Sequence, residues 1–592
     1  MGDKTFELSR ELTADERENL NQYSDIVAKL LFHRGIFDNE SANKFIAADY
    51  ETSLHDPFLM KDMDKTVDRI LLAVKNNEKI CIFSDYDADG VPGAVVFYDF
   101  FKKIGYENVE VYIPHRNLEG FGLNNKAVEK IAEEGSKLIV TIDCGITDSA
   151  QIDLANTLGV DVIVTDHHEA AHGLPNAYAV VDPMREDCDY PYKRLCGSGV
   201  IFKVVQALIS KISENSKEYE NFEMKSGEKL KTIPEGWEKW LLDMVGLATL
   251  SDMVPLTGEN RMFAKYGLIV LQRSPRKGLM KLLKKSPASQ QYLNEEDVVF
   301  TITPRINAAS RMGHAKEAFK MLSTTDEVEA GQTVDYLEKI NNERKGVVAG
   351  MVKEIKKYVE ANLIKDGELT VPVIVKGDPR WSPSLLGLAA SSIVDSYNCP
   401  AFVWGRGEGE ELKGSCRSDG SASLVSIMEG VPEGILDTYG GHVMAGGFVM
   451  NFDAIDTVED AMIDSYNKIS SEGSDLFHKI IDESIQPDDV NWQLFDDIKK
   501  LAPFGMDNPK PVFVFENVRI DEIIKFGKTQ NHVRLVFRKT NGSELNAIKF
   551  FAADDEKIEK LKSGDVITFT GNLEKSIFGG KLELRLKLVD IF

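Results

Sequence analysis

No apolar run approaches the ~18 residues that a membrane-spanning helix needs, so no transmembrane segment is expected. Cysteine is scarce. Six are scattered through 592 residues (Cys81, Cys144, Cys188, Cys196, Cys399, Cys416), none of them in a CxxC pair. That argues against a disulfide scaffold and a zinc ribbon, suits a reducing compartment, and makes a cytoplasmic location the expectation. The first residues, Met1-Gly2-Asp3-Lys4-Thr5-Phe6, hold no apolar signal core and no myristoylation match. The run Asp-Ala-Asp-Gly-Val-Pro-Gly at 87–93 lacks the Gly-Lys-Ser/Thr ending of a phosphate loop, and no GxSxG elbow occurs. Triphosphatase chemistry of the P-loop kind and serine-hydrolase chemistry are both disfavoured. Internal repeats and low-complexity tracts are absent as well.

What is present suffices for several packed domains, three to five at ~100–200 residues each. With 43% hydrophobic and 28% charged residues, global disorder is excluded. The net charge of −25 argues, taken alone, against a nucleic-acid partner. The charge is uneven, however. Glu516 to Phe592 holds 14 basic and 12 acidic residues, a net of +2, which leaves −27 on the remainder. Clustered acids also serve cation sites.

Along the chain, 1–55 is polar and helical in pattern and reads as a lead-in. From Lys79 the rhythm becomes apolar strand, helix, apolar strand. Such alternation implies a parallel sheet covered by helices. A lysine- and glutamate-rich stretch at about 211–240 reads as an insertion or exposed helix pair. A long helix is predicted from about Asp326 to Asn362, with Thr324 and Glu327 as its capping box, and reads as a spacer. A second α/β unit follows from about Glu368 to Ile469. The last ~80 residues are β-rich, with turns at Asn541-Gly542 and Gly579-Gly580, in the manner of a small barrel.

Three strands of the first unit end in acids: Asp85-Tyr86-Asp87-Ala88-Asp89 after Ile82-Phe83-Ser84, Asp143 after Val140-Thr141-Ile142, and Asp166-His167-His168 after Val164-Thr165. Ligands of open parallel sheets bind beyond the carboxyl ends of strands, so these groups converge. One such aspartate is usually a helix cap or turn residue. Three strand ends are not explained that way, because converging carboxylates repel unless a cation lies between them. Carboxylate mixed with imidazole suits Mn²⁺, Mg²⁺, Zn²⁺ or Fe²⁺. A fourth acid, Asp252, follows an apolar helical stretch, and spacing alone leaves its role open. The chemistry implied is two-metal hydrolysis of a phosphoester or phosphoanhydride.

The same residues resemble the DHH phosphoesterase superfamily, through Asp85-Tyr86-Asp87-Ala88-Asp89-Gly90 and Asp166-His167-His168. Further segments are similar to the RecJ exonucleases. They are Tyr112-Ile113-Pro114-His115-Arg116 with Gly120-Phe121-Gly122, and Pro304-Arg305-Ile306-Asn307 through Arg311-Met312-Gly313. The companion DHHA1 domain is resembled by Gly414-Ser415-Cys416-Arg417-Ser418 and by Gly440-Gly441-His442 through Gly447-Phe448. Pro503-Phe504-Gly505-Met506-Asp507-Asn508-Pro509 resembles the entry to the oligonucleotide-binding barrel. The likeness runs in order over roughly residues 50–592. It implies an α/β fold: a lead-in at 1–55, a parallel-sheet DHH catalytic domain at 56–325, a connecting helix at 326–363, a smaller α/β DHHA1 substrate-binding domain at 364–475, and a C-terminal OB-fold β-barrel at 476–592.

The resemblance implies 5′-to-3′ degradation of single-stranded DNA to mononucleotides with two Mn²⁺ or Mg²⁺ ions, in DNA repair and recombination. It implies Asp87, Asp89, Asp143, His167 and Asp252 as metal ligands, with Asp143 bridging. His168, Asp143 and Asp166 are the expected catalytic set. Arg116, Arg305, Asn307, Arg311, Ser415 and Arg417 are expected at substrate phosphates, and Gly440, Gly441 and His442 in the substrate wall. In the barrel, Phe526, Lys528, His532, Arg534 and Phe578 are the expected strand contacts. Phe526 and Phe578, beside Gly527 and Gly579, are assigned to exposed loops, and Phe550 and Phe551 to barrel filling. A single-strand-binding protein and a helicase are implied partners, with no membrane contact and a monomeric chain.

Three positions depart from the pattern. Phe83 stands where some DHH enzymes have a metal-ligating histidine, so Asp85 is expected to complete the first metal site. Ser382 replaces a histidine common among relatives, and Pro92-Gly93 replaces small hydroxyl residues. Two alternatives stand beside the exonuclease: a DHH phosphodiesterase for short oligoribonucleotides or cyclic dinucleotides, and a non-enzymatic DNA-binding scaffold. The barrel argues against the former and the intact acids against the latter.

Overall fold

A computed structural model describes residues 6–170, 173–214, 224–227, 229–286, 288–407, 411–470, 480–552, 555–578 and 581–592. Its chain packs as two compact units: 1–54, 255–265 and 478–592 in one, 55–254 and 266–477 in the other.

The larger unit includes, in chain order, β1 (Lys79–Ser84), α1 (Gly90–Ile104), β2 (Val109–Tyr112), β3 (Ser136–Ile142), β4 (Asp161–Thr165) and β5 (Ala179–Val181). The strands form one parallel sheet in the order β2-β1-β3-β4-β5. Ile80, Ile82, Leu138, Val140, Val162 and Ile163 are fully buried, as both faces of a helix-covered parallel sheet require. Chain order reverses between β1 and β3. A doubly wound sheet opens its crevice at such a switch point, beyond the carboxyl ends of the two strands. Asp85 to Asp89 leave β1 and Asp143 leaves β3, so both acid groups flank the switch.

Helices α2 (Gly197–Glu214), α3 (Leu242–Ser251) and α4 (Thr303–Arg311) also belong to this half, and α5 (Glu327–Asn362) leads out of it. The cap of α5 is Asp326, which accepts from the N–H groups of Val328 and Glu329. The expected box of Thr324 with Glu327 does not form. Asp326 lies two residues nearer the first turn and reaches both free donors, while Thr324 turns to Glu329. Of the lysine- and glutamate-rich stretch, residues 215–223 and 228 lie outside the described residues.

The second sheet comprises β6 (Ile374–Gly377), β7 (Ala401–Arg406), β8 (Leu412–Arg417), β9 (Leu436–Gly441) and β10 (Ala445–Met450), in the order β9-β10-β8-β7-β6. Helix α6 (Pro383–Tyr397) and the second half of α5 cover the face that bears Ala401 and Val403. Phe402, Cys416 and Phe448 bury the opposite face.

In the smaller unit, β11 (Glu483–Ser484), β12 (Phe513–Arg519), β13 (Glu522–Phe526), β14 (His532–Arg538), β15 (Glu544–Lys549), β16 (Val566–Phe578) and β17 (Lys581–Ile591) form one mixed sheet, ordered β11-β12-β16-β17-β15-β14-β13. Phe515, Phe569 and Phe537 stack through its core. The stretch read as a lead-in contributes to the same core. Leu20, Val27, Leu30, Leu31 and Ala42 are buried against the sheet's phenylalanines.

Candidate active site

Asp85 follows β1 directly, and its N–H donates to the Ile142 carbonyl (3.1 Å), so it is an extension of the sheet edge. Its carboxylate is almost fully buried, and Oδ1 accepts no hydrogen bond. Asp87 turns back on its own loop and accepts from the N–H groups of Asp89 (2.7 Å) and Gly90 (3.2 Å). Asp89 accepts from the N–H groups of Gly197 (2.6 Å) and Ser198 (2.7 Å) at the start of α2. A carboxylate is favoured there, where free N–H groups and the positive end of the helix dipole meet. Pro92 falls in the first turn of α1, where its missing N–H interrupts no helical bond. A side chain at Gly93 would come within 2.7 Å of Ile142, which explains the glycine.

Asp143 ends β3 in the left-handed region (φ 62°). Its Oδ1 is buried and accepts no hydrogen bond, yet it stands 3.1 Å from Nε2 of His167. The same nitrogen lies 3.8 Å from Asp89 Oδ2 and 3.8 Å from Asp252 Oδ2. Asp252, the C-cap of α3, is thereby brought to the sheet edge, which spacing alone left open. Burial first, and then the neighbouring carboxylates, push Asp85, Asp143 and Asp252 well above the usual carboxylate range. Burial likewise raises Asp89 and lowers His167. Possible ligand atoms of Asp85, Asp87 and Asp143 lie within 4.8 Å of one another, as do those of Asp89, His167 and Asp252, and those of Asp143, His167 and His168. Unbonded buried oxygens among mutually repelling carboxylates fit a pair of divalent cations.

His168 stands apart from this cluster in one respect. Its Nδ1 lies 2.7 Å from Asp166 Oδ1, and the ring remains half-exposed. Asp166 also accepts from the N–H groups of Ile146 and His167. Burial disfavours the imidazolium of His168, but the Asp166 carboxylate outweighs it and raises the pKa to about 9. Burial raises Asp166 too, and the bond from His168 reverses the sign and leaves it lowered.

The expected phosphate contacts divide. Arg116 lies over the Tyr86 ring (4.8 Å). Arg311, at the end of α4, donates to the Ser384 carbonyl at the start of α6, and Ser384 Oγ donates back to the Arg311 carbonyl (2.9 Å). Arg417 Nη1 donates to the Cys416 carbonyl (2.7 Å) and Ser415 Oγ (3.3 Å). None of the three has a carboxylate partner among the described residues. Burial, then Arg116, Arg344 and Arg417, lower the pKa of Arg311 to about 10, while Asp87 works the other way. Arg305 and Asn307 are engaged elsewhere. Arg305 pairs with Glu338 (2.9 Å) and the Thr301 carbonyl, and Asn307 Oδ1 accepts from Ala88 N–H (3.0 Å). Asn307 therefore holds the loop that presents Asp87 and Asp89.

Ser415 aligns across the second sheet with Gly447 and then Gly440, so glycines leave that face bare beside it. Gly441 (φ 138°) and His442 form the exposed end of the hairpin, where His442 N–H donates to the Ala445 carbonyl (2.8 Å). A cavity of about 570 Å³ is lined by Tyr86, Arg116, Leu118, Trp381, Ser382 and Lys413. Two glycines escaped the sequence reading. A Cβ on Gly197 would lie 2.6 Å from Asp143 Cβ, and one on Gly387 would lie 2.9 Å from Arg417 and 3.0 Å from Ser415 Oγ. Only through-space proximity identifies either.

In the smaller unit, the His532 ring is T-packed against Phe550 (5.3 Å) and Phe551 (4.9 Å), and Phe526 lies 5.2 Å from it. Phe551 is 80% exposed and Phe550 41%, so neither fills the barrel as expected. Strand β15 ends at Lys549, and Phe551 N–H donates to the side-chain Nδ1 of His532 on β14 (3.0 Å) and not to that strand's backbone, so the ladder stops before both rings. Lys528 is exposed, and Arg534 is half-buried with its Nε unbonded. The Phe578 side chain and the Gly579-Gly580 turn lie outside the described residues.

Two family models match the chain: the DHH family, N-terminal domain, over residues 79–228, and the RecJ OB domain over 481–590. The single-stranded-DNA-specific exonuclease RecJ of Bacillus subtilis is 32% identical over 566 residues, covering 95% of this chain and 67% of its own length. Its Escherichia coli counterpart is 27% identical over 463 residues, 77% of this chain and 78% of its own. Among solved structures, RecJ of Thermus thermophilus in complex with Mn²⁺ superposes with a TM-score of 0.78 at 24% identity, over 100% of this chain and 80% of that one. An exonuclease RecJ bound to manganese gives 0.56 at 29% identity, over 70% of this chain and 98% of that one.

Proposed function

The chain belongs to the RecJ family, and from that membership we propose that it degrades single-stranded DNA from the 5′ end to mononucleotides by two-metal phosphodiester hydrolysis, in DNA repair and recombination. One observation supports this above others: buried, mutually repelling carboxylates beside arginines that have no carboxylate partner among the described residues. The first group suits cations and the second suits phosphates.

One Mn²⁺ or Mg²⁺ would be held by Asp85, Asp87 and Asp143, and the other by Asp89, His167 and Asp252 with Asp143 shared. Bound there, the pair supplies charge neutralisation at the reacting phosphate and lowers the pKa of a water. Asp85 takes the place that the Phe83 departure leaves open. The α2 N–H groups fix Asp89 in one orientation, and Asn307 fixes the loop around it. His168, kept protonated by Asp166, presents a positive imidazolium where charge develops on the phosphoryl oxygens. Arg116, Arg311, Arg417 and Ser415 hold the strand's phosphates, the planar guanidinium groups by bidentate bonds. The bare glycine row and His442 form a wall along which the backbone lies. In the smaller unit, Phe526 and His532 offer faces to unpaired bases, with Lys528 and Arg534 on the phosphates.

A 5′-phosphorylated oligonucleotide labelled at either end tests the reading. With Mn²⁺ the single strand should shorten from its 5′ end into mononucleotides, its duplex form should resist, and chelator should stop the reaction. Consumption of two- to five-nucleotide fragments or cyclic dinucleotides, with the long strand intact, would replace the proposal with the small-substrate phosphodiesterase.

A further inference from the structure

Helix α5 is more than a spacer. Glu338, Asn341 and Arg344 lie three residues apart and share one side of it. Glu338 is engaged by Arg305 (2.9 Å). Asn341, one turn on, is fully buried with neither amide atom hydrogen-bonded. Arg344 follows, half-buried, with its Nε shielded from solvent and unbonded. Among the described residues Arg344 has no hydrogen-bond or ion-pair partner. Its electrostatic neighbours are Arg305 and Arg311, both cations. Helix α5 packs against α4, which ends at Arg311, the residue clamped to Ser384 beside Arg417.

An unpaired, partly desolvated guanidinium costs free energy. Scarcity of acids is no explanation, because the chain has 95 of them. Arginines with a structural role in the same unit are paired: Arg276 with Asp243 and Asp99, Arg69 with Asp161 and Glu78, Arg185 with Asp62 and Asp187. Like Arg116, Arg311 and Arg417, Arg344 has no carboxylate partner among the described residues, and unlike Arg311 and Arg417 it makes no hydrogen bond there either. An anion that arrives with the substrate supplies the missing charge, and beside phosphate-binding arginines that anion is a phosphate oxygen.

We infer that Arg344 is a further substrate-binding residue, which meets a backbone phosphate of the strand adjacent to the one held by Arg311. The inference rests on the exonuclease reading above. With Arg344 in place, α5 is one wall of the path by which the strand reaches the metal ligands.

The test compares wild type, R344A and R344K on a 5′-phosphorylated single strand in Mn²⁺ across a salt series. Loss of a charge-assisted bond should raise KM about tenfold in R344A, with kcat within about threefold of wild type. Each phosphate contact on a single strand contributes about 0.7 to the log–log salt slope, so the slope of kcat/KM should fall by about that amount. R344K should keep the slope and recover most of KM, and the DNA-free melting temperature should not fall. An unchanged KM and salt slope in R344A would overturn the assignment, as would a melting temperature lowered by several degrees with the slope unchanged. A wild-type protein that leaves single strands uncut would overturn the exonuclease reading itself, a result distinct from a cutting wild type matched by R344A.

Discussion

On the proposed mechanism, Asp143 acts on stability and on activity with opposite sign. Its buried, unbonded oxygen faces Asp85, Asp87, Asp89 and Asp252, and that repulsion destabilises the metal-free fold. Asp143→Asn should therefore melt higher than wild type in chelator while losing turnover by more than about a thousandfold, as removal of several kcal/mol of charge stabilisation implies. Calorimetry in chelator and a single-strand cleavage assay check the two halves, and a lower melting temperature would contradict the repulsion argument. Gly197→Ala acts on the same oxygen from outside, because a Cβ would stand 2.8 Å from Asp143 Oδ1. Its turnover should fall about 10- to 100-fold, the range for residues that support a metal ligand, with the Mn²⁺ titration midpoint shifted upward. The aspartates were legible in the sequence because strand-end position and residue type are both local. Gly197 was not, for it lies 54 residues after Asp143 and only the packed α2 brings them together.

At the scale of elements, the parallel sheet was readable from apolar runs buried on both faces, and the switch point between β1 and β3 follows from its strand order. The ties between helices were not readable. Arg276 reaches Asp243 on α3 (2.8 Å), Asp99 on α1 (2.8 Å) and the Leu322 carbonyl, so one guanidinium joins three segments far apart in sequence. Burial acts against this charge, yet the two aspartates hold its pKa above the ordinary arginine value. Arg276→Leu leaves buried carboxylates unpaired and should cost about 3–5 kcal/mol in urea unfolding. Restoring balance with Asp243→Asn in the same chain should recover part of that loss, since the two positions share one network. Full additivity of the two substitutions would contradict the shared network.

For the whole molecule, the sequence boundaries separate 1–55 from the C-terminal barrel, whereas the structure gathers them into one unit with residues 255–265. Periodicity within 1–55 shows helices with apolar faces, but it cannot name a partner more than 400 residues away. That partner is the seven-stranded sheet: Leu30 and Leu31 are buried among the core residues that include Phe513, Phe537 and Phe569. Lys29 adds a buried ion pair to Glu483 of β11 (2.9 Å). Removing the helices would expose these phenylalanines, at about 25 cal/mol for each Å² of apolar surface returned to water. A domain of this size has only ~5–15 kcal/mol of stability in hand. The fragment 476–592 should therefore be unfolded or aggregated when made alone, and co-expression of 1–54 should rescue a cooperative melt. Residues 255–265 also belong to this unit, where Arg261 donates to the Phe45 and Ala502 carbonyls, so the rescued pair should remain less stable than the full chain. A fragment 476–592 that folds cooperatively by itself, by circular dichroism and dispersed amide resonances, would show that the N-terminal helices decorate this core without supporting it.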